Sequence, residues 1–239
     1  MAISEILEQA SHRYLPLPER KWKYFQQWDD TFFLHWSVKP ELISELLPTG
    51  LVLDTFQDKA WISLVAFDVD KMRMHYIPPI PYISNFKEIN VRTYVLNNGI
   101  KGIYMLSIET NKIIEVLLTR TFLELPYRKS YIKKSINTLF SSNSVKNYKL
   151  LFSYKKIGIP IIKTPLDYWL TERHCLYNAT GNKLFRHDIH HKEWNLEEID
   201  IPITEINYNF NSISLNKHPE MLHYCQSIDV LLWSRERIL

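Results

Sequence analysis

Residues 86–95 read F-K-E-I-N-V-R-T-Y-V, and their alternation decides the class of the fold. Strands turn successive side chains to opposite faces, so Ile89, Val91, Thr93 and Val95 lie on one side and Glu88, Asn90, Arg92 and Tyr94 on the other. The apolar file belongs against a core. The second file sets a carboxylate, an amide, a guanidinium and a phenol in register, which is more specific chemistry than a solvated strand needs. Arg92 can grip a carboxylate bidentately, and Glu88 can serve as acid or base. A plain Glu–Arg pair on an exposed face is the structural alternative.

The neighbouring sequence extends this strand into a β-rich α+β protein. N-N-G at 97–99 supplies the positive φ values of a tight hairpin, returning into I-Y-M-L-S-I-E. Upstream, L-V-L-D-T-F and A-W-I-S-L-V-A-F read as strands joined by a Q-D-K turn. Three prolines in Y-I-P-P-I-P-Y (76–82) make an extended loop able to rim the polar face. Helices are expected over 3–12, from Pro40, over 112–121 behind an Asn111 cap, at P-L-D-Y-W-L behind a Thr164 capping box, and near 219–226. Further strands are expected at 172–178, 183–190 and 198–204, with I-D-V-L-L-W as the last. Residues 135–147 read as a surface excursion. Hairpin connections predict a largely antiparallel sheet.

The chain has 239 residues, which favours a single domain over 1–239. Five glycines stand against twelve prolines, fourteen tyrosines and seven tryptophans, a balance that excludes collagen-like and disordered classes. The net charge of +3 and a lysine-rich stretch from Lys129 to Lys156 suit a solvated surface, and no nucleic-acid partner is expected. No run approaches the roughly 20 apolar residues that span a bilayer, and the first residues lack a signal-peptide pattern. A cytoplasmic location with reduced thiols is expected. The aromatic-rich composition is compatible with a homo-oligomer.

Two other segments carry candidate chemistry. In L-T-E-R-H-C-L-Y (170–177), strand alternation would turn Thr171, Arg173, Cys175 and Tyr177 inward, with Cys175 a buried structural thiol rather than a nucleophile. In R-H-D-I-H-H (186–191), His187 and His191 share a face that His190 opposes, so three ligands cannot converge locally. No metal site and no cofactor is expected. Phosphate-loop, dinucleotide, nucleophile-elbow and zinc-protease motifs are all missing.

Several segments together resemble a known family: W-D-D-T-F-F-L-H-W (28–36), L-L-P-T-G-L-V-L-D-T-F-Q-D-K-A-W-I (46–62), F-K-E-I-N-V-R-T-Y-V (86–95), L-P-Y-R-K-S (125–130), L-T-E-R-H-C-L-Y (170–177), I-H-H-K-E-W (189–194) and L-H-Y-C-Q-S-I-D-V (222–230). They are similar to the YqjF-like family of uncharacterised bacterial proteins. That resemblance implies the acetoacetate decarboxylase-like fold, a curved, largely antiparallel sheet closing into a cone or barrel around a ligand cavity, with peripheral helices outside. The decarboxylases form a Schiff base on the first lysine of a Pro-Lys-Lys segment. The similar stretch here is R-T-F-L-E-L-P-Y-R-K (120–129), which puts Tyr127 at the Schiff-base position and Arg128 at the second. Tyrosine forms no imine, and Lys129 falls about 7 Å beyond the Tyr127 slot. Glu88 matches the glutamate that those enzymes carry on an earlier strand.

Three readings follow. The first is a binding protein for a small, anionic molecule held by Arg92 and Arg128, with Glu88, Asn90, Tyr94, Tyr127 and Arg173 lining the site. The second is a lyase or hydrolase using Glu88 as acid or base and Tyr127 as proton donor. The third is a structural protein whose polar face is a buried network.

Overall fold

The computed structural model describes residues 3–80, 83–112, 125 and 127–239. The polar strand runs Phe86–Asn97 (β4) and pairs antiparallel with Ala60–Met74 (β3) and Ile100–Thr110 (β5). Its hairpin turns at Asn98 and Gly99, both with positive φ, as the sequence predicts. A bulge between Val91 and Arg92 shifts the register against β5.

Outward from β3, the long strand Tyr24–Val38 (β1) pairs with β3 on one side and with Met221–Leu232 (β16) on the other. Beyond β5, Cys175–Thr180 (β11) adds in parallel and Lys183–His191 (β12) follows antiparallel. β12 then meets β16 at Ile189–Leu232, His190–Leu231 and His191–Val230. The path β16–β1–β3–β4–β5–β11–β12 therefore returns to its start, and seven strands close a ring. Closure removes the open edges that a sheet would otherwise expose. Val52–Leu53 (β2), Tyr127–Lys129 (β6), Lys155–Pro160 (β10), Glu197–Asp200 (β13) and Glu236–Arg237 (β17) attach to it.

Gly102 is fixed by this closure. A β-carbon there would meet the Tyr177 ring at 2.5 Å and the Cys175 carbonyl at 2.8 Å, where β11 crosses β5.

Strand alternation divides the core in two. Phe33, Trp61, Val65, Phe67, Tyr94, Ile108, Leu176, Ile189, Cys225 and Val230 form the cluster inside the ring. Phe32, Leu34, Ile62, Leu64, Ile89 and Val91 face outward, under a second sheet. That sheet comprises Tyr131–Lys134 (β7), Thr138–Asn143 (β8), Tyr148–Ser153 (β9), Ile203–Phe210 (β14) and Ile213–Leu215 (β15). Helices are few among the described residues: Ile3–Glu8 (α1), Pro40–Ser44 (α2) and Pro165–Thr171 (α3). None is long and apolar enough to cross a membrane.

Some expectations need correction. Residues 219–226 are not helical, because eleven residues of β1 pair along Met221–Leu232 and sheet partners override the local pattern. Residues 135–147 are not a surface excursion. They supply β8, an interior strand of the second sheet between β7 and β9, with Leu139, Ser141 and Asn143 buried. Residues 170–174 are not strand: Thr171 ends α3, and Cys175 and Tyr177 pack outside the ring beside Leu51 and Val95. The expected strand over 51–56 shrinks to β2. The expected helix 112–121 lies outside the described residues beyond Lys112. At 76–80 the chain is exposed.

Candidate functional site

All four polar residues of β4 point into the ring and are buried: Glu88, Asn90 and Arg92 at 5%, 3% and 5% exposure, and Tyr94 at 0%. The exposed Glu–Arg pair is thereby excluded, and among the described residues no carboxylate lies within salt-bridge distance of Arg92.

Glu88 sits between two donors. Asn90 Nδ2 donates to Oε1 at 3.0 Å, and the Tyr127 hydroxyl donates to Oε2 at 2.6 Å. Burial pushes the Glu88 carboxyl up, against the opposing pull of those two hydrogen bonds. Burial likewise holds the Tyr127 phenol well above its usual range, with the Glu88 charge adding to it, so the phenol stays a donor. Tyr127 reaches this point because β6 pairs in parallel with the end of β5, setting Tyr127 beside Ile108.

Arg92 is held differently. Among the described residues its Nε and Nη2 are buried without a hydrogen-bond partner, and its guanidinium lies 5.5 Å from the Phe33 ring centre. Burial lowers its pKa, and the charge and hydrogen bonding of Tyr94 oppose this, while Nε and Nη2 stay bare. The Asn90 Oδ1 acceptor is also unpartnered. Buried polar atoms are rarely left so, since each costs about 1–3 kcal/mol.

A chain of side chains that sequence reading missed runs beside Arg92. Asp167 Oδ1 meets His223 Nε2 at 2.8 Å, and His223 Nδ1 meets His35 Nε2 at 3.0 Å. His35 Nδ1 lies 2.6 Å from Ser63 Oγ, Ser63 Oγ lies 2.5 Å from the Tyr94 hydroxyl, and that hydroxyl donates to the Leu170 carbonyl at 3.0 Å. Both ends accept only, so five links share the four protons of two neutral imidazoles and two hydroxyls. Burial first, then His223 and Arg92, hold the His35 pKa well below its usual range, so His35 takes part as a neutral imidazole. The Asp167 carboxyl is held at about 2: burial raises it, but hydrogen bonds from His223 and from the backbone and hydroxyl of Thr164 outweigh that. Asp167 thus serves the relay and the α3 capping box at once. Register places this chain against the site, since Ser63 is the cross-strand partner of Arg92 and also of His35.

The remaining expected residues separate. Arg173 pairs with Asp54 at 2.6 Å and lies over the Trp169 and Tyr94 rings at 4.4 and 4.9 Å, so its charge is answered and it braces Tyr94. Arg128 alternates away from Tyr127 into an outer groove with Ser107, Tyr148 and Asn209. Lys129, last in β6, is exposed. Cys175 faces outward 3.8 Å from Asp188, its thiol pushed up to about 12 by burial, which suits an inert thiol.

The family model described as an uncharacterized conserved protein, domain of unknown function 2071, matches residues 25–229. The chain belongs to that family. Uncharacterized protein YqjF of Bacillus subtilis (strain 168) is 35% identical over 235 residues, covering 95% of this chain and 97% of its own. Among solved structures, acetoacetate decarboxylase from Legionella pneumophila superposes with a TM-score of 0.63 at 10% identity, covering 95% of this chain and 94% of that one. The enduracididine biosynthesis enzyme MppR complexed with pyruvate gives 0.60 at 9% identity, covering 95% and 93%. The domain of unknown function 2071 chain therefore has the acetoacetate decarboxylase-like fold, and identities this low carry no chemistry with them.

Proposed function

We propose that this protein binds a small carboxylate inside the ring, with Arg92 as the anion-gripping group. The observation that carries this is the buried guanidinium whose Nε and Nη2 lack partners, with no carboxylate in reach among the described residues. A buried cation needs a counter-charge, and a bound carboxylate provides one bidentately. The unpartnered Asn90 Oδ1 sits two residues away on the same face, about 7 Å along the strand. That spacing and polarity suit a molecule of pyruvate or lactate size with a hydroxyl or enol opposite its carboxylate. The pyruvate carried by MppR, in the same fold, agrees with that size.

In this proposal no imine forms in the ring. Tyr127 stands inward where the decarboxylase resemblance calls for the reactive lysine, and Lys129 is exposed. Borohydride added to the protein with pyruvate should leave its mass unchanged; a stable pyruvyl adduct on any lysine would contradict this. A second reading rests on the raised Glu88 pKa: a carboxyl that keeps its proton longer than usual is suited to general acid–base work. Glu88→Gln preserves size but gives Tyr127 and Asn90 one acceptor where they had two. It should cost about 1–3 kcal/mol of stability while pyruvate binding through Arg92 persists. If turnover of any 2-keto or 2-hydroxy acid is found in wild type and vanishes in Glu88→Gln, the enzyme reading takes precedence over simple binding.

A further inference from the structure

Outside the β4 site, the loop after α1, the C-cap of α3 and the end of β12 bring four ligand-type side chains together. One ligand atom each of His12, Glu172 and His191 lies within 4.8 Å of the other two. His174 adjoins them, its ring centre 5.1 Å from that of His12 and 5.0 Å from that of His191, and one of its ring nitrogens lies within 4.8 Å of ligand atoms of His12 and His190. We propose that His12, Glu172 and His191 form a site for a divalent first-row transition ion of the zinc class, with the His174 ring beside it.

The anchoring of each group supports this. His191 Nδ1 lies 2.6 Å from the Lys192 carbonyl, which fixes the proton there and frees Nε2 as a lone pair. His12 Nε2 lies 2.9 Å from the His191 carbonyl, which frees Nδ1 in the same way. Glu172 Oε1 accepts from Lys163 at 2.8 Å and from the Trp194 backbone at 3.1 Å, while Oε2 is buried with no partner. One heteroatom is tethered and the other left bare in all three, as in metal ligands oriented by an outer shell. Both ring nitrogens of His174 are buried and unpartnered, at 1% exposure. Imidazole nitrogens with one carboxylate match the donors that zinc prefers.

His190 is not in the set. Its Nε2 contacts the Ile6 carbonyl at 2.7 Å and its Nδ1 lies 3.3 Å from Arg13 Nη1, so both nitrogens are engaged. Within residues 186–191 only His191 joins the set, and the further ligands come from distant positions. His12 is the half-exposed member, leaving a route of entry from solvent.

The test is a zinc titration of the chelator-treated full chain against a chromophoric chelator, with a cobalt(II) spectrum of the same site. One equivalent should bind, and cobalt should give the visible bands of a four-coordinate nitrogen–oxygen site. His12→Ala and Glu172→Gln should each weaken binding at least tenfold with unchanged far-ultraviolet dichroism, while His218→Ala on the surface changes nothing. No stoichiometric binding in wild type would overturn the proposal. So would affinity that both variants leave intact, which would place the ion elsewhere.

Discussion

Replacing Arg92 by methionine should leave the protein folded, raise its melting temperature by several degrees and abolish its response to pyruvate. Methionine fills similar volume without burying a charge, and such replacements are often neutral or stabilising by about 1–4 kcal/mol. Over a chain of this size each kcal/mol moves the midpoint by about 2–4 °C. Binding should suffer the opposite fate. Losing a buried charge partner costs about 2–5 kcal/mol, or roughly 30-fold and more in affinity. Thermal melts with and without pyruvate, on both proteins, check the two halves together. A guanidinium answered by the protein itself would reverse the stability sign, with a loss of about 3–5 kcal/mol. The scaffold reading requires that reversal.

Acid should unfold the metal-free protein through its histidines before most carboxylates titrate. Burial, with neighbouring cations, lowers five of them: His35 and His174 strongly, His187 and His190 to about 4, and His191 to about 3. In the unfolded chain they titrate near 6.5. Each folded pKa is depressed, so the unfolded state binds more protons below pH ~6.5 and stability falls as the pH drops toward the folded values. Glu88 and Glu109, raised by burial, run the other way and cancel part of the uptake. Asp30 and Asp167, held near 2, contribute only below about 4. A net uptake of two protons removes about 5 kcal/mol between pH 6.5 and 4.5. Midpoints followed in chelator from pH 7.5 to 4.5 should fall by about 10–20 °C. A flat profile would mean that these imidazoles are not buried neutral.

The sequence made the decisive strand legible because its signal is local. Alternation fixed both faces of β4, Asn-Asn-Gly fixed its turn, and Thr164 with Asp167 announced α3. What stayed hidden is long-range. His35 and His223 lie 188 positions apart, and Asp167 another 56 from His223, so no spacing could foretell their alignment. The polar tract of β8 misled for a related reason. Asn143 donates to Ser130, which in turn reaches Glu109, so its polar groups serve a buried network between the sheets. The site itself was half legible: β4 declared its inward face, whereas which of the three arginines would lack a partner depended on Asp54, which answers Arg173, and on β6, which turns Arg128 outward.

The anion site is tested most directly by a crystal structure of the protein grown with saturating pyruvate. The account requires a carboxylate within hydrogen-bond distance of Arg92 Nε and Nη2, with the other end of the molecule toward Asn90 and Glu88. Density showing Arg92 answered by a protein group, with no pyruvate inside the ring, would contradict it.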